Sequence, residues 1–291
     1  MIIVNETRYT VTDGKLTVAV TTDGAQIRSI RTSDGTEYIW SADPAWWPKS
    51  APIMFPICGG LKDDRFTHNG KTYTLAKHGF TGREFAVESH TADTLTLFIK
   101  ESADTLAMYP FHFIFRVTFA VKNGTLSVTY TTVNTGDETL YYADGGHEAY
   151  AAPEGIEAYD VVFEKEEDLT RQVLDGNLLE HKFEHVETDG KTLHMKYSHM
   201  DNDCLSFAAT NSKAVTFTRR AGGRKVRITF DDFAHLVIWT KKGAPYLCIE
   251  PWNGCPDLVD ADGVLAHKPS MFALAPGESL SHTHTVTPCA D

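Results

Sequence analysis

Two widely separated segments carry groups that can move protons. One reads Gly145-Gly146-His147-Glu148-Ala149-Tyr150, the other Cys248-Ile249-Glu250-Pro251-Trp252. Each sets a titratable side chain among small or aromatic neighbours where strands meet turns. A histidine and a carboxylate brought together across a cleft make a general acid and a general base. Other chemistries lack their parts. His147-Glu148 begins like the zinc motif H-E-x-x-H, but position 151 is Ala151. Asn69-Gly70-Lys71-Thr72 ends like a P-loop, but the glycine that motif needs at position 65 is Arg65, so a hairpin turn is the better reading. No G-x-S-x-G nucleophile elbow occurs. His282 and His284 share a face of an expected final strand. With no third ligand nearby they read as a solvated strand rather than a metal site.

The elements that must position these groups read as strands. Phe111, Phe113, Phe115, Val117, Phe119 and Val121 fall on one phase of a two-residue period, with His112, Arg116, Thr118 and Lys122 on the other. Asn123-Gly124 follows, then Leu126, Val128 and Tyr130 alternate with threonines and serine. Alternation on both sides of Asn-Gly predicts a hairpin. Shorter runs at Leu16–Val20, Leu95–Ile99, Val215–Phe217, Val226–Phe230 and His235–Trp239 repeat the pattern between Gly, Asn and Asp. Glu164 to Leu179 is expected to hold a helical turn or two. Trp46 to Gly60 and Tyr142 to Gly155, rich in Pro and Gly, read as long loops on a sheet scaffold, where function concentrates. The prediction is an all-β chain, a large antiparallel β-sandwich forming one domain over 1–291.

Composition narrows the partners. A formal charge of −12 over 291 residues argues against nucleic acid and against an anionic membrane. The five cysteines are odd in number and show no C-x-x-C spacing, which fits a reducing cytoplasm without disulfides. Met1-Ile2-Ile3-Val4 turns polar at Asn5, so no signal peptide is expected, and no apolar run has the length to span a bilayer.

Further segments extend the pattern: Phe55-Pro56-Ile57-Cys58-Gly59-Gly60-Leu61-Lys62-Asp63-Asp64, Lys77-His78-Gly79-Phe80, and Asp203 ahead of Leu205-Ser206-Phe207. With Gly-Gly-His and Cys-Ile-Glu-Pro-Trp, their order and spacing resemble the aldose 1-epimerase (galactose mutarotase) superfamily, specifically its bacterial LacX-like branch. The likeness runs from about Pro52 to Gly277. It implies a sandwich with a cleft on one face, Glu250 as general base and His147 as general acid. It also implies that His78 and Asp203 bind the sugar. Lys62 is a further candidate contact, and Trp252 a candidate apolar platform. The implied reaction interconverts the α and β anomers of an aldose by opening and closing its ring, without metal or organic cofactor. The implied partner is a small carbohydrate; the oligomeric state stays open.

The pattern also departs from the family. Gly60 stands where the family has an arginine that reaches the sugar. The lost contact is expected to move to Lys62 or Arg65, and Gly60→Arg to tighten hexose binding. Glu148 replaces a proline, and its charge is expected to raise the His147 pKa. Acid and base are expected to stand about a pyranose ring apart. Two alternatives stay open: a hexose-phosphate 1-epimerase, or a sugar-binding or sensing protein that does not turn its ligand over.

Overall fold

Phe113–Lys122 and Thr125–Asn134 form the predicted hairpin in the computed structural model, which describes residues 7–289. The Met1 to Val4 start lies outside the described residues. Asn123 and Gly124 take φ of 54° and 77°, the positive pair that a two-residue turn between twisted strands requires. Phe113, Phe115, Val117, Phe119 and Val121 are buried, and the residues between them are more open.

The hairpin sits within a nine-stranded antiparallel sheet. Its order is Thr192–His194, Tyr159–Phe163, Ala214–Arg219, Lys225–Thr229, Ser279–Cys289, Thr125–Asn134, Phe113–Lys122, Thr94–Lys100 and Ala86–His90. A six-stranded sheet runs Leu205–Phe207, His235–Trp239, Tyr246–Trp252, Gly145–Gly146 and Ile53–Met54, with Ala149–Ala151 also paired to Tyr246–Trp252. Phe115, Phe119 and Val128 from the first sheet and Ile238, Leu247 and Ile249 from the second share one core. This is the single-domain, all-β sandwich the alternation predicts. The five cysteines are free. Among the described residues, no helix is long and apolar enough to cross a membrane.

Three details differ from expectation. Leu169–Asp175 is a strand paired with Leu178–Val186, where helical turns were expected. The register shifts between Gln172 and Leu174, so Val173 and Leu174 are both buried and the two-residue rhythm breaks. His282 and His284 are buried at 5% and 0% exposure, because their strand lies inside the large sheet rather than at a wet edge. A short helix, Ala103–Met108, starts with a capping box at Ser102 and Thr105; at six residues it is too short for periodicity to reveal.

The site loops are anchored on the large sheet. Phe55 stacks on Phe115 with centroids 4.1 Å apart, and its carbonyl accepts the Phe80 N–H at 2.7 Å. Phe115→Ala should therefore cost about 3–5 kcal/mol in urea unfolding. A loss under about 1 kcal/mol would mean that the stack does not anchor the loops.

Candidate active site

Glu250 lies on Tyr246–Trp252, a strand with every residue buried. Side chains alternate, so Leu247 and Ile249 enter the sandwich core while Cys248, Glu250 and Trp252 face the other side. There Trp46 and Trp47, from the Pro-rich loop, pack over Tyr246 and Cys248. Glu250 is 1% exposed, and its Oε2 accepts the Trp252 indole N–H at 3.0 Å.

His147 is set opposite Glu250 by strand register. Gly145 pairs with Trp252 and Ala149 with Cys248, so position 147 falls across from position 250. Cross-strand partners point to the same face, about 5 Å apart at Cβ. The His147 Nδ1 lies 3.3 Å from Glu250 Oε2. That is far less than the pyranose width expected. Yet the two oxygens to be served, the C1 hydroxyl and the ring oxygen, are bonded to the same carbon, so an adjacent pair can reach both.

The two glycines make this approach feasible. A Cβ on Gly145 would sit 2.8 Å from the Pro251 carbonyl oxygen, and one on Gly146 would sit 2.5 Å from the Glu148 carboxylate. Glu148 folds beneath Gly146 into the core, fully buried, with Oε1 3.2 Å from His284 Nε2. Asp144, on the other side of the glycines, is also fully buried. Its Oδ2 is 2.8 Å from His282 Nδ1, and Asn253 Nδ2 donates to its Oδ1 at 3.2 Å. Glu148 therefore points away from the His147 ring, contrary to expectation. Its charge instead helps to raise the Glu250 pKa.

Burial drives both members of the pair toward neutrality. Loss of water pushes Glu250 well above the usual carboxylate range; the Trp252 bond opposes this and Glu148 adds to it. His147 is lowered to about 3, chiefly by burial, with Lys77 and Lys49 adding to the fall. Trp47 packs on its ring at 5.1 Å and Trp239 meets it edge-on at 5.7 Å.

The cleft around the pair has a volume of about 240 Å³. Five of the six candidate residues, Glu250, His147, His78, Asp203 and Trp252, line it. His78 accepts the Gly59 N–H on Nδ1 at 3.1 Å, which leaves Nε2 as donor in the neutral ring. Burial holds that ring well below the usual imidazole pKa. Asp203 accepts the Trp239 indole N–H at 3.1 Å. Trp252 donates its indole N–H to Glu250, so its polar edge positions that carboxyl group. Lys62 is not brought to the cleft: it opens a tight turn, its N–H donates to Asp257, and its ammonium lies 3.4 Å from the Ala261 carbonyl oxygen. Arg65 borders the same outer recess as Lys62, and Arg83 stacks on Phe80.

Sequence reading missed Lys49, Lys77, Trp47 and Trp239, all of which line the cleft. Only Lys77 carried a signal, as the neighbour of His78. The donor atoms of His147, Cys248 and Glu250 lie within 4.8 Å of one another, a geometry that could hold a metal ion. Burial raises the Cys248 thiol pKa well above its usual value, so a metal bound there would have to displace the thiol proton. A separate recess of about 320 Å³ beside Asp257 and Lys268 contains neither Glu250 nor His147.

The sequence model of the aldose 1-epimerase family matches residues 7–287. The chain belongs to that family and is a carbohydrate epimerase. Among its relatives is the chromosomal protein LacX of Lactococcus lactis subsp. lactis, 30% identical over 288 residues, spanning 94% of this chain and 96% of that protein. The X-ray structure of a galactose mutarotase related enzyme from Lactobacillus acidophilus superposes with a TM-score of 0.92 at 30% identity, covering 98% of both chains. A galactose mutarotase-like protein from Lactobacillus casei ATCC 334 shares the fold, with a TM-score of 0.91 at 24% identity over 97% of this chain and 100% of that one.

The space beside Gly60 is occupied. A Cβ there would lie 3.1 Å from Asn177 Cβ and 3.2 Å from the Asn177 carbonyl oxygen. Asn177, in the turn after Leu169–Asp175, also accepts the Lys77 ammonium at 2.9 Å. Gly60→Arg should therefore displace that turn and weaken sugar binding, reversing the effect expected from sequence. Calorimetric titration of wild type and variant checks this; tighter binding by the variant would refute it.

Proposed function

We propose that this protein is an aldose 1-epimerase that interconverts sugar anomers through Glu250 and His147 acting as one proton-sharing pair. The observation that carries this reading is their 3.3 Å contact at the cleft, with both side chains buried. The pair holds one proton. In ring opening, one member takes the proton of the C1 hydroxyl while the other gives its proton to the ring oxygen, and the C1–ring oxygen bond breaks. The product is the open-chain aldehyde, and the pair still holds one proton. After rotation about the C1–C2 bond, the reverse transfers close the ring on the other face. Assigning Glu250 as base and His147 as acid describes one tautomer of the pair. Burial favours the other tautomer at rest, and a single proton transfer across the contact converts them. His78 Nε2 and Asp203 supply a donor and an acceptor for sugar hydroxyls. Trp47 and Trp239 wall the cleft and keep water from the pair.

Two measurements test this reading. Glu250→Gln and His147→Ala should each slow anomer exchange of a free aldose by about 10²–10⁴-fold without unfolding the chain. The double variant should lose little more than either single one, because the pair acts as a unit. NMR exchange spectroscopy across gluco and galacto sugars reads the rates. Saturable binding with no acceleration by wild type would instead identify a binding protein.

The second measurement is the pH profile. As pH falls, activity ends when His147 takes a second proton and no base remains. Its pKa is lowered to about 3, so the acid limb of kcat/KM should lie well below the free-imidazole value. Glu250 is raised, so the pair keeps its proton as pH rises past the usual carboxylate range. An acid limb near about 6.5 would contradict the assignment.

A further inference from the structure

Lys49 and Lys77 line the cleft together with His78, His147 and Glu250. The Lys49 ammonium has no hydrogen-bond or ion-pair partner among the described residues. Lys77 is steered by Asn177 Oδ1 at 2.9 Å and stands 4.0 Å from Asp203 Oδ2. An ammonium has three donors, so both lysines keep hydrogen-bonding capacity for a ligand. Asp203 is the one carboxylate of the lining besides Glu250, and its other oxygen already accepts from Trp239. With one proton, the Glu250–His147 pair is neutral overall. The lining thus carries more cation than anion, in a chain whose net charge is −12. The field of the lysines reaches the reacting groups, since both lower the pKa of His78 and of His147.

A neutral hexose uses an unpaired ammonium only as a hydrogen-bond donor to a hydroxyl. An anionic oxygen uses its charge as well, because lysine binds phosphate and carboxylate as a point charge. We propose that the sugar accepted here carries a negative charge, a phosphate or a carboxylate remote from C1, received by Lys49 and Lys77 while Glu250 and His147 act on C1. This rests on the epimerase reading above. It replaces Lys62 and Arg65, which lie outside the cleft, with two lysines inside it.

The test compares three forms of one hexose, in the gluco and galacto series: the parent sugar, its 6-phosphate and its uronic acid. Anomer exchange is followed by NMR and affinity by calorimetry. The expected result is a preference of about ten- to a hundredfold for at least one anionic form over its parent. That preference should shrink with added salt. The phosphate and carboxylate arms show which anion is meant. In the Lys49→Ala, Lys77→Ala double variant the ratio of anionic to parent sugar should fall to about one. A parent sugar handled as well as both anions, or a ratio unchanged in the double variant, would overturn the proposal. The two readings fail separately. Binding that favours an anion, with no exchange of any sugar, refutes the epimerase and upholds the charge selectivity. Exchange of the parent alone does the reverse.

Discussion

Two carboxyl groups with no access to water, those of Asp144 and Glu148, are held against two histidines of the last strand. A buried carboxylate without a partner is strongly destabilising, so this arrangement is a constraint on the whole sandwich. His282 and His284 belong to the nine-stranded sheet, whereas Gly145–Gly146 belongs to the six-stranded one. The segment carrying His147 is therefore clamped across the core, one carboxyl group on each side of the glycines. Asn253 N–H donates to the Asp144 carbonyl at 2.8 Å and closes the same clamp onto the strand that bears Glu250. These contacts flank the segment whose register puts His147 opposite Glu250.

The same burial that threatens stability shifts the acid–base behaviour of Glu250 and His147. In water, a carboxyl and an imidazole titrate apart, with the carboxylate ionised and the ring near its own midpoint at neutral pH. Removed from water, both shift toward their neutral forms. A reaction that passes a proton in at one oxygen and out at another needs such a group, and needs it to be indifferent to direction. Trp47 and Trp239 add to this burial by packing on the His147 ring, and a lower local dielectric strengthens the charge interactions there.

Much of this was legible in the sequence. Alternation about Asn123-Gly124 identified the sheet scaffold because burial on one face leaves a two-residue rhythm. Glu250 and His147 stood out because each sits in a short segment of restricted composition. What stayed hidden depends on contacts between distant residues. The bulge at Gln172–Leu174 broke the strand rhythm and imitated a helix. His282 and His284 carry no mark of burial, since only the sheet order places them inside. Asn177 filling the space beside Gly60 could not be read from Gly60. Lys62, in a resemblance-bearing segment, drew attention that belonged to Lys77, because which side of a turn a lysine leaves from is decided by the tertiary fold.

The protonation state of His147 in the free enzyme is the most direct measure of whether burial governs this site. Nitrogen-15 NMR of histidine-labelled protein, with His147→Ala to assign the signal, reads it without any substrate. The ring should remain neutral from about pH 8 down to about pH 5, far below where a solvated imidazole gains its proton. An imidazolium signal at neutral pH would mean that the pair rests as separated charges, and that water, not burial, sets its chemistry.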